Sequence, residues 1–152
     1  MAVACLAALT ACTSSAADQA RPTLAEAAEV LQADAAEIIA SEALANVGRL
    51  EATERGDQDR PCSTGEAQRF FRAHGNFARP DWETPATAIS TLQSALRLSA
   101  DYRKVIDDLD IRDDDLAVAA LRNDKAAVTF IIAARTAKPN ILLVGKTDCL
   151  RR

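Results

Sequence analysis

Three short apolar runs in the last third of the chain constrain its fold more than any other feature. They are Leu116–Leu121, Val128–Ala134 and Ile141–Val144. Asn123-Asp124 separates the first two runs, Lys138-Pro139-Asn140 separates the last two, and both are typical turn sequences. Because consecutive strands with short links pair antiparallel, we expect a three-stranded antiparallel sheet here. Alternation places three residues of the second run on one face: Val128, Phe130 and Ile132.

A helix start lies near the beginning of the domain. Thr23 followed three residues later by Glu26 forms a capping box. Apolar residues then recur at helical spacing: Leu24, Ala28, Leu31, Ala35 and Ile38. We expect this helix to run to about Gly48, with fraying into Glu54.

The middle of the chain is less regular. By composition Gly56–Gly65 is a loop, and it carries Cys62. Glu66–Ala78 is predicted to be an extended segment with Phe70, Phe71 and Phe77, leading to a turn at Gly75 and Asn76.

A second helix follows, with Thr84 as cap, Pro85 in the first helical position and Ile89, Leu92 and Leu96 as its apolar face. Tyr102–Ile111 fits either a helical extension or a short strand.

The order helix, strand, helix and three strands predicts an α+β fold. We expect an antiparallel sheet of about four strands with two helices on one face, formed by residues 23–152 as a single domain. Hydrophobic residues are 49% of the chain, but aromatic residues are only 4% and alanine is abundant. Such a core is modest, so a covalent crosslink would be useful.

Of the four cysteines, Cys62 and Cys149 lie in this domain. Two cysteines in an exported protein predict a disulfide. The bond would close a loop of 87 positions, which gives about 4 to 5 kcal/mol of stabilisation. Free thiols are the alternative. With only His74 as a distant histidine, neither a zinc site nor a catalytic Cys–His pair is expected.

The first residues indicate export. Met1–Ala11 has no charged residue and is too short to span a bilayer. Leu9-Thr10-Ala11-Cys12 resembles the lipobox of bacterial lipoproteins: an aliphatic residue, two small ones and a cysteine. Such a thiol accepts a diacylglyceryl group as a thioether, and two acyl chains make membrane anchoring stable.

The resemblance implies a signal peptide over 1–11, lipid on Cys12 and a flexible tether over 12–22, with the domain on the extracytoplasmic face of the cell membrane. Thr13–Ala20 is small and polar, as a tether requires. No Lys or Arg precedes Cys12, so we expect the natural start codon to lie upstream. A cytosolic chain with an apolar N-terminus is the alternative. The element order and the late cysteine are also similar to small extracytoplasmic lipoproteins of high-GC Gram-positive bacteria.

Charge excludes one class of partner. The formal net charge is -4, and basic residues are scattered among acidic ones, so nucleic-acid binding is not expected.

An acidic run spans Asp107 to Asp115. Starting from Asp108, a calcium loop would place Arg112, Asp113 and Ala119 at positions that need an oxygen ligand, a glycine and a glutamate. The run is therefore predicted to be a solvated turn, with a looser cation site as the alternative.

Isolated residues give no catalytic constellation. His74 is expected at the surface near a turn rather than as a general base. Trp82, Phe77 and Tyr102 are expected to fill the core, with a ligand groove as the alternative. We predict no catalytic, cofactor-binding or metal-binding residue.

Three functions follow from these features. The first is a lipid-anchored, non-catalytic binding or accessory module of the cell envelope, with an envelope protein as partner. The second is a carrier of lipid or another small apolar ligand, which needs a cavity between helices and sheet. The third is an envelope enzyme, which needs a cleft that gathers His74 with aspartates.

Overall fold

The computed structural model describes residues 21–63, 65–79, 84–97, 101–106 and 113–152. Within these ranges the chain forms three helices and nine strands. In chain order they are α1 (Leu24–Ala40), α2 (Glu42–Val47), β1 (Gly48–Arg55), β2 (Arg60–Ser63), β3 (Glu66–Gln68), β4 (Phe70–Phe77), α3 (Pro85–Arg97), β5 (Arg103–Ile106), β6 (Leu116–Asn123), β7 (Val128–Arg135), β8 (Ile141–Thr147) and β9 (Leu150–Arg151). The fold class is α+β, as predicted.

The predicted capping box is confirmed at the start of α1. The Thr23 hydroxyl accepts a hydrogen bond from the Glu26 amide at 3.3 Å, and the Glu26 carboxylate accepts one from the Thr23 amide at 2.7 Å. Helical structure ends at Val47, close to the predicted Gly48, but it is not one helix, because the backbone leaves the helical conformation at Ser41. The Ser41 hydroxyl then accepts a hydrogen bond from the Leu44 amide and caps α2.

The larger sheet has six antiparallel strands in the order β1-β4-β8-β7-β6-β5. The three predicted C-terminal strands are confirmed as β6, β7 and β8. The expected four strands and two helices were too few, since β1 and β5 occupy the two edges and α2 is a separate helix. β1 covers residues that were predicted to be helix or frayed helix.

A smaller sheet has the order β2-β3-β9. The predicted loop at Gly56–Gly65 therefore contains a strand. The predicted disulfide is confirmed, with 6.0 Å between the Cα atoms of Cys62 and Cys149. Cys62 lies in β2 and Cys149 immediately precedes β9. The disulfide therefore joins the two outer strands of the small sheet.

The turn predicted at Gly75 and Asn76 is also wrong, because β4 continues through both residues to Phe77. A Cβ atom on Gly75 would lie 1.8 Å from the Arg49 carbonyl oxygen of β1. Glycine at this position lets the neighbouring strand approach closely, which is a common role of a glycine inside a strand.

The second predicted helix is confirmed as α3. The Thr84 hydroxyl accepts a hydrogen bond from the Thr87 amide at 3.2 Å, and Ile89 and Leu92 are buried. The side chain of Leu96 lies outside the described part. Of the ambiguous Tyr102–Ile111 segment, the described residues include strand β5.

All three helices pack against one face of the large sheet and share a single core with it. The core side chains of the sheet alternate, as Val128, Phe130 and Ile132 do in β7. A Cβ atom on Gly145 of β8 would lie 2.5 Å from the Phe130 ring and 2.6 Å from the Leu31 side chain of α1. At this point the contact between α1 and the sheet is closed.

Candidate interaction site

The face of the large sheet opposite the helices is called here the open face. Its side chains are the alternate residues of each strand, and the strand register arranges them in rows. One row runs across four strands through Ile106, Ala120, Ile131 and Val144, which are direct cross-strand partners. The next row contains Val118, Ala133 and Leu142. These seven residues form one continuous apolar group, in which only Ala120 is buried, and we call it the apolar band.

The apolar band is accessible. Ile106 is 41% exposed, and the larger side chains of the band on β6, β7 and β8 are partly exposed. Val105, which lies in an irregular part of the β5–β6 pairing, is 40% exposed. Isolated exposed apolar residues are ordinary on protein surfaces, but a contiguous group is typical of an interaction surface.

Charged residues border the apolar band. Beside it, the same register places Lys146, Thr129, Arg122 and Arg103 in the row nearest the beginning of α1. On β4 the two rows of the band continue into Arg72 and His74. The Arg72 guanidinium also lies 5.2 Å from the centre of the Phe70 ring.

The basic row is held by a chain of ion pairs. Arg122 binds Asp148 through two hydrogen bonds, of 2.9 and 2.7 Å, and its Nε atom binds Asp124 at 2.7 Å. Arg103 binds the other oxygen of Asp124 at 2.5 Å. Hydrogen bonds from Arg103 and Arg122 lower the pKa of Asp124 to about 2. Hydrogen bonds to both carboxylates raise the pKa of Arg122, so the group stays charged.

Two clefts lie beside the first turn of α1. One, of about 390 Å³, is lined by residues that include Glu26, Asp34, Tyr102 and Lys125. The Tyr102 hydroxyl donates a 2.5 Å hydrogen bond to Asp34, and burial and that bond raise the pKa of Tyr102. The raised pKa keeps Tyr102 protonated, so its hydroxyl serves as a structural donor.

The second cleft, of about 430 Å³, is lined by residues that include Arg21, Arg122 and Asp148.

Among the described residues, His74 and Asp115 lie at different strands of the large sheet. His74 lies within β4 on the open face, opposite Glu51 and Leu142, and not beside a turn. Asp115 directly precedes β6, three strands away, which is roughly 14 Å at ordinary strand spacing. Asp115 accepts a hydrogen bond from Thr136, so it serves the turn between strands.

Some predicted residues lie outside the described residues: the lipobox with Cys12, Trp82, and Asp107, Asp108 and Asp110 of the acidic run. Phe77 and Tyr102 pack against the core, as expected for filling residues. Within the described ranges, no group of three or more His, Cys, Asp or Glu side chains is placed to hold a metal ion. In the same part of the chain, no helix has the length and apolar character needed to cross a membrane.

The apolar band was not predicted, although a signal for it exists. The three C-terminal runs are apolar at consecutive positions, whereas a strand with one solvated face alternates. Val118, Ile131 and Val144 are the residues that break this alternation.

Comparison with models of protein families, with curated proteins and with solved structures finds no match to this chain.

Proposed function

We propose that this chain is a lipid-anchored, extracytoplasmic binding module of the cell envelope. In this proposal Cys12 carries the lipid and the open face of the large sheet binds a partner protein. The apolar band is the observation that carries the proposal. Its basic border favours a partner surface in which apolar side chains are flanked by carboxylates.

Two features support the location. The lipobox residues Leu9 to Cys12 are those that lipid attachment requires, and the domain contains a disulfide between Cys62 and Cys149. Disulfides persist in exported proteins and are rare in reducing compartments.

The binding surface is argued from how the two faces of the sheet differ. At Gly145 the contact between α1 and the sheet is closed, since there is no room for an added methyl group; a cleft of about 460 Å³ lies between α1 and strands β1 and β4. A ligand carrier would need space at this contact. The open face presents aliphatic side chains that remain accessible, and burial of apolar area is the main source of affinity in protein association. Lys146 would add selectivity for carboxylates at the border, whereas Arg72 and Arg103 there bind Glu54 and Asp124 of the chain itself.

The anchor is tested with Cys12→Ala, and Cys5→Ala is the matched control in the same segment. Both are expressed behind a signal that supplies a basic n-region, and cells receive a labelled fatty acid. We expect label and membrane association to be lost in the Cys12 variant and kept in the Cys5 variant. Equal labelling of the two variants would contradict lipid attachment at Cys12.

The binding surface is tested with a photo-crosslinking residue at Ala133, in the apolar band, or at Ala36, exposed on α1. We expect a crosslinked product with one second protein from position 133 and none from position 36. The purified partner should then bind the parent chain and lose at least tenfold in affinity for Val118→Asp. A product formed only between two copies of this chain, or no dependence on Val118, would overturn the proposed partner.

A further inference from the structure

The end of the domain at which the tether enters carries an excess of positive charge. We call it the tether end. Arg21 and Pro22 lie there beside Arg122 and Asp148, with which they line a common cleft. The small sheet extends from the same end, because Arg69, just before β4, exchanges hydrogen bonds with Thr147 at the end of β8.

Most acidic groups of the tether end bind basic side chains. Asp124 and Asp148 bind the arginines of the basic row, and Asp59 binds Arg69 at 2.8 Å and Arg152 at 3.4 Å. Asp101 lies 3.8 Å from Lys125. By contrast, Glu26 at the start of α1 and Glu66, the cross-strand neighbour of Arg151, hydrogen-bond to neutral groups and keep their charge. Arg55 and Asp57 line one cleft at its margin, to which they contribute one charge of each sign.

Three further cations of this end make no close ion pair, although the pKa of Asp148 is lowered by its hydrogen bonds from Arg122 and, over a longer distance, by Lys146 and Arg21. Within the described residues, Arg21, Lys146 and Arg151 make no ion pair within 4 Å, and Arg21 and Arg151 are exposed. At the opposite end of the strands, Asp113, Asp114 and Asp115 are exposed. A chain of net charge -4 therefore presents a basic surface where its tether begins.

We propose that the tether end rests on the anionic phospholipid headgroups of the membrane that anchors the chain. This inference rests on the proposed function, because it takes Cys12 as the anchor. Nine peptide units separate Cys12 from Arg21, so the domain surface can lie no more than roughly 32 Å from the lipid. The tether therefore allows the domain to come within about 8 to 10 Å of the leaflet, the range over which an anionic surface attracts cations at physiological salt.

The orientation agrees with the proposed binding surface. The strands of the large sheet run from the tether end to the opposite end. With the tether end on the membrane, the strands point away from the bilayer and the open face is perpendicular to it. A neighbouring envelope protein can then reach the apolar band from the side.

The test uses the full chain with Cys12→Ala, so that binding does not depend on the lipid anchor. Flotation is measured with vesicles of equal parts phosphatidylglycerol and phosphatidylcholine, and with pure phosphatidylcholine. We expect a component of binding that needs phosphatidylglycerol and weakens as salt is raised. Replacing Lys146 and Arg151 together with glutamine should lower that component about thirtyfold.

The matched control replaces Arg49 and Lys138 with glutamine, since both are exposed cations near the opposite end. Flotation of this control should equal that of the parent. The proposal is overturned if phosphatidylglycerol makes no difference or if both double variants lose binding equally. Acyl labelling of the chain with Cys12 intact reports separately on the anchor, so the two failures are distinguishable.

Discussion

The closed contact at Gly145 makes a quantitative prediction about the substitution Gly145→Ala. The added Cβ atom would lie 2.5 Å from the Phe130 Cε1 atom and 2.6 Å from the Leu31 Cδ1 atom. Ordinary contacts between carbon atoms are about 3.5 to 4.0 Å, so the shortfall is about 1 Å on two sides. Both neighbours have 0% exposure and cannot turn toward solvent.

The expected magnitude combines two opposing effects. Overpacking of a filled core typically costs about 1 to 3 kcal/mol. Alanine inside a strand recovers about 0.5 to 1 kcal/mol relative to glycine. We therefore expect Gly145→Ala to lower the free energy of unfolding by about 1 to 2 kcal/mol. Ala133→Val, which enlarges a partly exposed residue on the open face, should change it by no more than about 0.5 kcal/mol.

Urea unfolding of the oxidised protein measures this difference as a shift in midpoint at constant slope. Leu31→Ala alone should cost about 2 to 5 kcal/mol. The double variant should cost less than the sum, because shortening Leu31 makes room for the new methyl group. An unchanged midpoint for Gly145→Ala, or strict additivity with Leu31→Ala, would refute the closed contact and favour a ligand carrier.

Three further predictions concern the disulfide and two shifted ionisations. Cys62→Ser should lower the free energy of unfolding by about 2 to 5 kcal/mol, and a reducing agent should then have no further effect on the urea midpoint. Tyr102 is the sole tyrosine, and because its pKa is raised, absorbance at 295 nm should show no tyrosinate near pH 10 in the folded protein. The stabilisation linked to the raised pKa of Tyr102 is complete below the pKa of tyrosine in the unfolded chain and is lost as pH rises above that value. Asp34→Asn should lower the pKa of Tyr102 in the folded protein. The lowered pKa of Asp124 contributes stability above about pH 4 that is lost toward pH 2; Arg122→Gln should flatten this decline in acid unfolding.

Local chemistry explains which elements could be predicted from the sequence. The capping box at Thr23 needs only residues that are three apart, and the structure contains it. The turn after β6 is held by Asn123, whose side chain accepts from the Ala126 amide, and the turn after β7 by Asn140, which donates to Arg135. Both asparagines lie in the stretches that indicated turns.

β1 could not be predicted because its partner is distant in the chain. Its residues include glutamate, alanine and arginine, which favour helix, and they follow directly on two helices. Pairing with β4 determines the strand, and the alternation of Leu50, Ala52 and Glu54 supports it only once that partner is known. The apolar band has the same origin, since it requires the register of four strands.

The disulfide divides the domain mechanically. Residues from Cys62 to Cys149 form a covalently closed ring that contains β3 to β8, whereas α1, α2 and β1 lie outside it. Tension applied through Arg21 enters at the first turn of α1 and reaches the ring only after passing α2 and β1, which is hydrogen-bonded along one side to β4. Such a load peels α1 from the sheet turn by turn before it strains the bridge. Resistance to a load applied through Arg21 is therefore determined by the packing of α1, and the ring can survive the loss of that helix.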